Sequence, residues 1–105
     1  MSEKKFTAAL TMNAVDKLAI LGENIRQARL ARQCSQASMA SRSLMSKSTY
    51  VSIEQGNPNT SIGAYLAVLD VLDLLEGFES IAAPHKDEIG RRYRGFKSKR
   101  GSADV

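Results

Sequence analysis

SQASMASRSLMSKSTYVSIEQGNPN, residues 35–59, is the stretch whose reading decides the fold. Ser35 and Ser46 are both good helix N-cap residues, because a serine oxygen accepts from a free backbone N–H of the first turn. Each sits in the same frame. Cys34 and Met39 fall at the N′ and N4 positions of a hydrophobic staple around Ser35, and Met45 and Tyr50 do so around Ser46. The pattern predicts two short helices, Gln36 to about Ser43 and Lys47 to about Gln55, joined by a tight turn. Gly56-Asn57-Pro58-Asn59 then ends the second helix. Gly56 suits a left-handed position after the last turn, and Pro58 has no N–H to continue a helix.

Two helices of this length cannot bury enough surface alone, so flanking helices must pack on them. Upstream, Val15, Leu18, Leu21, Ile25 and Ala28 recur at spacings of three and four. They predict helix from Asn13 to Arg32, with Gly22 dividing it into two. Downstream, Thr60 or Ser61 caps a helix through about Leu74 whose apolar face reads Ile62, Tyr65, Leu66, Leu69 and Leu72. Gly77 interrupts, and Phe78 to Ala83 reads as another turn or two of helix before Pro84. No segment alternates at period two. The expectation is an all-α domain of about five helices. It divides into an N-terminal arm over 1–12, a domain over 13–83 and a basic tail over 84–105. Gly, Ser and like charges in Arg91–Val105 read as disorder, and residues 1–8 and 95–105 are expected to be mobile.

The chain has 105 residues, 43% hydrophobic and 25% charged, which suits one globular domain. A single cysteine, Cys34, excludes an internal disulfide and a cysteine zinc site, and the single His85 argues further against a metal. No apolar run reaches the roughly 18 residues of a membrane span, and the N-terminus does not resemble a signal peptide. A soluble, cytoplasmic protein is expected. The net charge of +4 is unevenly spread: residues 1–61 carry +4, residues 62–84 carry −4 and residues 85–105 carry +4. A basic surface favours polyanions. No paired carboxylates, Ser/His/Asp set or glycine-rich phosphate loop is present, so neither enzymatic activity nor a cofactor is expected.

Short helix, tight turn and short helix make a helix-turn-helix, and residues 21–74 resemble the Xre/lambda-repressor class of such domains. The resemblance is carried by Leu21-Gly22-Glu23, Ile25-Arg26, Arg29, Ser35-Gln36, Met39-Ala40, Ser46-Lys47-Ser48-Thr49, Ile53-Glu54-Gln55-Gly56 and Asn57-Pro58. Tyr65 to Leu75 with Glu76-Gly77-Phe78 looks like the HipB-type antitoxins, which accompany HipA-like Ser/Thr kinase toxins. Two positions depart from the family pattern: Gln33 and Leu44 stand where Gly is common. A left-handed backbone at either costs roughly 1–2 kcal/mol relative to Gly.

The resemblance implies a dimeric repressor that binds a palindromic DNA operator, with the Lys47 helix as its recognition helix. Gln36 would touch a phosphate and brace the next helix, and Arg29 and Glu54 would form a buried ion pair. Ser46, Lys47, Ser48, Thr49 and Ser52 lie on the first turns of the recognition helix. Small polar side chains there allow close approach to the major groove, and Lys47 can reach guanine N7 and O6 or a phosphate. Asn57, Asn59 and Thr60 either donate to phosphates or serve turn chemistry. Val68, Val71, Leu74 and Leu75 lie outside the assigned core face. With Phe78 and Ile81 they make an apolar patch that suits a two-fold dimer interface. The basic tail either follows the DNA backbone, docks on a protein or keeps the chain soluble. Alternatives to the antitoxin are a stand-alone Xre-type repressor and a helical protein–protein module.

Overall fold

The computed structural model describes residues 9–99. Among them are five α-helices and no strand, so the fold is all-α. The first helix, α1, runs unbroken over Met12–Ala31, opened by Thr11, whose Oγ1 accepts from the Ala14 N–H at 3.1 Å. Gly22 therefore does not divide it, contrary to the sequence expectation. Its reason lies across the core: a Cβ there would stand 2.5 Å from the Glu54 carbonyl oxygen and 2.7 Å from that of Ile53. Gly56, at φ +68°, likewise leaves room for the Leu18 carbonyl, which a Cβ would meet at 2.5 Å. Two glycines thus let α1 press directly on the end of the third helix.

Helices α2 (Gln36–Arg42) and α3 (Lys47–Glu54) form as expected, with Ser35 capping Ser38 N–H and Ser46 capping Thr49 N–H. Each cap contributes roughly 1 kcal/mol. Gln33 and Leu44 are both left-handed, at φ 57° and 56°. The Leu44 side chain is 93% exposed, so nothing it packs against compensates the backbone cost.

Helix α4 covers Ile62–Val71, capped by Ser61. It stops three residues before the expected Leu74, because Asp73 turns left-handed and Leu74 N–H closes on the Leu69 carbonyl at 2.8 Å. Arg32 from the end of α1 caps it, donating from Nη2 to the Leu72 carbonyl at 3.0 Å. Its buried face is Tyr65, Val68, Leu69 and Leu72. Two expectations are corrected here. Val68 is fully enclosed within the protomer and belongs to the core, not to a dimer surface, while Ile62, expected in the core, is 65% exposed. Ile25, Met39, Ala40, Tyr50 and Ile53 complete the core.

The chain divides into two compact units after Leu75. In the second unit Gly77 is left-handed and Phe78–Ser80 makes a single 3₁₀ turn. Ile81 is then extended and Ala82 left-handed, so the α-helix expected over Phe78–Ala83 is absent. A second 3₁₀ turn, Pro84–Lys86, precedes α5, Glu88–Lys99. Residues 91–99, read from composition as disorder, are therefore helical. The signal was local: Asp87 Oδ1 accepts from Gly90 N–H at 3.0 Å, and Glu88 pairs with Arg91 one turn on. The expectations for residues 1–8 and 100–105 fall outside the described residues.

Candidate nucleic-acid interface

Tyr50 and Glu54 lie one helical turn apart on α3 and both face the core. The Glu54 carboxylate receives four donors there. Arg29 of α1 binds it in a fork, Nε to Oε2 at 2.6 Å and Nη2 to Oε1 at 3.2 Å. Tyr50 Oη donates to Oε2 at 2.6 Å, and Gln36 Nε2 of α2 donates to Oε1 at 3.0 Å. Arg29 Nη1 also donates to the Cys34 carbonyl at 2.9 Å, fixing the turn between α1 and α2. One carboxylate thus sets three helices. Burial alone would push the Glu54 carboxyl up, but hydrogen bonds from Arg29, Tyr50 and Gln36 outweigh it and hold the group below the usual carboxylate range. Its bond to Glu54 strengthens the hold of Arg29 on its proton. The Tyr50 hydroxyl is pushed well above its ordinary value by burial and by the bond to Glu54.

With Tyr50, Ile53 and Glu54 turned inward, the opposite positions of α3 face out. Lys47, Ser48 and Gln55 are exposed, and Thr49, Val51 and Ser52 are half-buried. Ser48, Thr49 and Ser52 form one wall of a shallow groove of about 320 Å³, and Asn59, Thr60, Ser61 and Ala64 form the other. The lining carries hydroxyls and an amide but no charge. Helix α3 therefore presents a narrow, small-residue ridge with one cation, Lys47, at its start.

A family model described as a helix-turn-helix domain matches residues 20–77, more than half of the chain. The chain belongs to the helix-turn-helix family. No curated protein and no solved structure matches it. The matched helix-turn-helix region takes in α2, α3 and α4, the part of the all-α, lambda-repressor-like fold that holds the ridge.

Within the helix-turn-helix unit the residues singled out from sequence divide by what their side chains touch. Ser48, Thr49, Ser52, Asn59 and Thr60 come together at the groove, with Lys47 exposed beside them. Ser46 spends its oxygen on the cap, accepting from Thr49 N–H and donating to Thr49 Oγ1 at 2.9 Å. Asn57 builds the turn: its Oδ1 accepts from Asn59 N–H at 2.8 Å and its carbonyl accepts from Tyr65 Oη at 2.9 Å. Gln36 braces α3 through Glu54. The expected Arg29–Glu54 pair is present, with both side chains almost buried.

Three contributors escaped the sequence reading. Tyr50, which the sequence places at a staple position, also donates to Glu54, and its spacing of four from Glu54 signals the shared face. Val51 and Gln55 lie on the outward side of α3, three and seven residues from Ser48. Of the surface residues proposed for a dimer, Val71 and Leu75 are half-buried and Leu74 is exposed; in the second unit Phe78 is half-buried and Ile81 exposed. Among the described residues no helix is long and apolar enough to cross a membrane, and no group of His, Cys, Asp and Glu is placed to hold a metal.

Proposed function

We propose that the chain is a sequence-specific transcriptional repressor that inserts α3 into the major groove of a palindromic operator as a homodimer. The observation that carries this is the oriented ridge: Glu54 locks the inner face of α3 to α1 and α2, and the outer face carries small side chains between Lys47 at its start and Gln55 at its end. Such a face approaches base edges closely, with Lys47 in reach of guanine or phosphate. In the dimer, two copies of α3 would stand about 34–36 Å apart to enter successive grooves. Val71, Leu74 and Leu75 of the first unit supply apolar surface for that pairing. The DNA reading is tested by titrating a selected operator and random duplexes. Lys47→Ala is expected to weaken the operator by roughly 1–3 kcal/mol and random DNA little. Equal affinity of parent and variant for both duplexes refutes the assignment of α3. Light scattering of a Leu74→Glu variant, expected to be monomeric where the parent is dimeric, tests the pairing.

The proposal extends to an antitoxin and autoregulator, supported by the likeness of residues 65–78 to HipB-type proteins. A HipA-like Ser/Thr kinase encoded beside this gene is then expected to copurify with the chain and to lose its toxicity on co-expression. Toxicity that persists beside abundant chain removes the antitoxin role and leaves a stand-alone repressor.

A further inference from the structure

We infer that Val51 is a specificity-determining residue that reads the C5-methyl group of a thymine in each half-site. The inference rests on the DNA-reading function of α3 and adds the kind of base pair it selects. Counting around α3 from the buried Tyr50 and Ile53, the outward positions are Ser48, Ser52 and Gln55, flanked by Thr49 and Val51. Val51 is the one apolar side chain among them. It lies four residues after Lys47 and three after Ser48, so it follows them along the same side of the ridge.

Its chemistry leaves one favourable partner. A valine can neither donate nor accept, so a guanine, adenine or cytosine edge held against it would lose water and gain no hydrogen bond. The major-groove edge of thymine carries an apolar group, the C5-methyl, and contact with an apolar side chain is the way that group is read. Geometry supports the contact. Ser48 and Ser52 beside it are short, so the only long outward side chains on this stretch of α3 are Lys47 and Gln55, one turn to either side of Val51, and both are flexible. Val51 is half-buried, and its β-branch fixes χ1 in a helix. Its methyl groups are therefore presented in one arrangement.

The test begins with selection of the full chain on a random duplex pool. The enriched half-site is expected to hold a thymine that deoxyuridine cannot replace without loss. Deoxyuridine removes the methyl and leaves both hydrogen-bonding edges intact, so the cost expected is about four-fold per half-site, the worth of one buried methyl-sized group. Val51→Ala, which withdraws both γ-methyl groups, is expected to lose most of the deoxyuridine penalty, and Val51→Thr, which keeps one of them, to retain part of it. Each thymine of the half-site is replaced in turn. If every deoxyuridine penalty is the same in parent, Val51→Ala and Val51→Thr, Val51 does not read thymine, and the Lys47→Ala result alone then decides whether α3 is the reading helix. A pool that enriches no sequence overturns the reading function and the role of Val51 with it.

Discussion

Two arginine–glutamate contacts, one in each unit, look alike in distance and differ in everything else. Arg29 and Glu54 join helices 25 residues apart in sequence, with side chains 10% and 5% exposed. Arg91 and Glu88 are neighbours on one turn of α5, with side chains 63% and 61% exposed. The first unit also holds an exposed one-turn pair, Glu23 with Arg26, but it adds an interior: Arg29 and Glu54 are satisfied there, the helix starts are capped by side-chain oxygens, and Tyr50, Ile53, Met39 and Val68 are sealed. The second unit, among its described residues, has no buried side chain, and Ile81, Ile89 and Tyr93 are exposed. The same chemistry thus supports a three-dimensional arrangement in one region and only local helix in the other.

The comparison is broken most directly at the two ion pairs. Arg29→Ala strands the Glu54 charge in the interior and is expected to cost roughly 3–5 kcal/mol. Removing both partners is expected to cost less than the sum of the single changes. Glu88→Ala is expected to change stability by less than about 1 kcal/mol, the range for exposed pairs. Urea denaturation measures both, and equal effects would mean that burial does not separate the two pairs.

Acid sharpens the same contrast. The Glu54 carboxyl titrates lower in the folded chain than in the unfolded one, so the stability it contributes is present at neutral pH. That stability is lost as pH falls from the unfolded value, about 4.3, through the lower folded one. Glu54→Gln is expected to start less stable at pH 7 and to lose less on acidification. At the alkaline end the raised Tyr50 hydroxyl acts in the other direction: its contribution is complete below its unfolded value, about 10, and falls away above it. A parent and a Glu54→Gln variant with parallel acid profiles would remove Glu54 as the titrating group.

What could be read beforehand follows the same division between local and distant causes. Ser35 and Ser46 were legible because a cap acts within three residues. Arg29 and Glu54 were reached through family likeness, since nothing in a spacing of 25 points one at the other. Helix α4 is apolar on nearly every side, so periodicity could not phase it, and Val68 and Ile62 exchanged roles. Gly22 read as a helix breaker because the Glu54 carbonyl it accommodates belongs to another helix. Helix α5 was missed for the opposite reason: its Asp87 cap is local, but Gly, Ser and clustered arginines outweighed it in a reading by composition.

The two units are also expected to meet DNA differently. Lys47 lies on the outward ridge of α3, whereas Arg91, Arg92 and Arg94 are exposed on α5. Changing those three arginines together is expected to flatten the salt dependence of binding for operator and random duplexes alike, by about one unit of slope for each lost phosphate contact. Discrimination between the duplexes is expected to stay as in the parent. An unchanged salt slope would take α5 off the DNA and favour its docking on a protein.

The smallest expected effect is a gain. Leu44 is left-handed at φ 56° and almost wholly exposed, so a glycine there relieves backbone strain and forfeits no packing. The relief is roughly 1–2 kcal/mol, and the extra freedom glycine gives the unfolded chain takes back about 0.4–1 kcal/mol. Leu44→Gly is therefore expected to stabilise by about 0.5–1 kcal/mol, while Leu44→Ala, which keeps a Cβ, gains nothing. Ala82 in the second unit is left-handed at a similar φ, 61°. Its relief by glycine should be similar locally, yet segments without buried contacts open below the free energy of global unfolding. Ala82→Gly is expected to leave the main unfolding midpoint in place. Equal upward shifts for Leu44→Gly and Ala82→Gly would show that the two units unfold together, and the contrast between them would then be one of packing density alone.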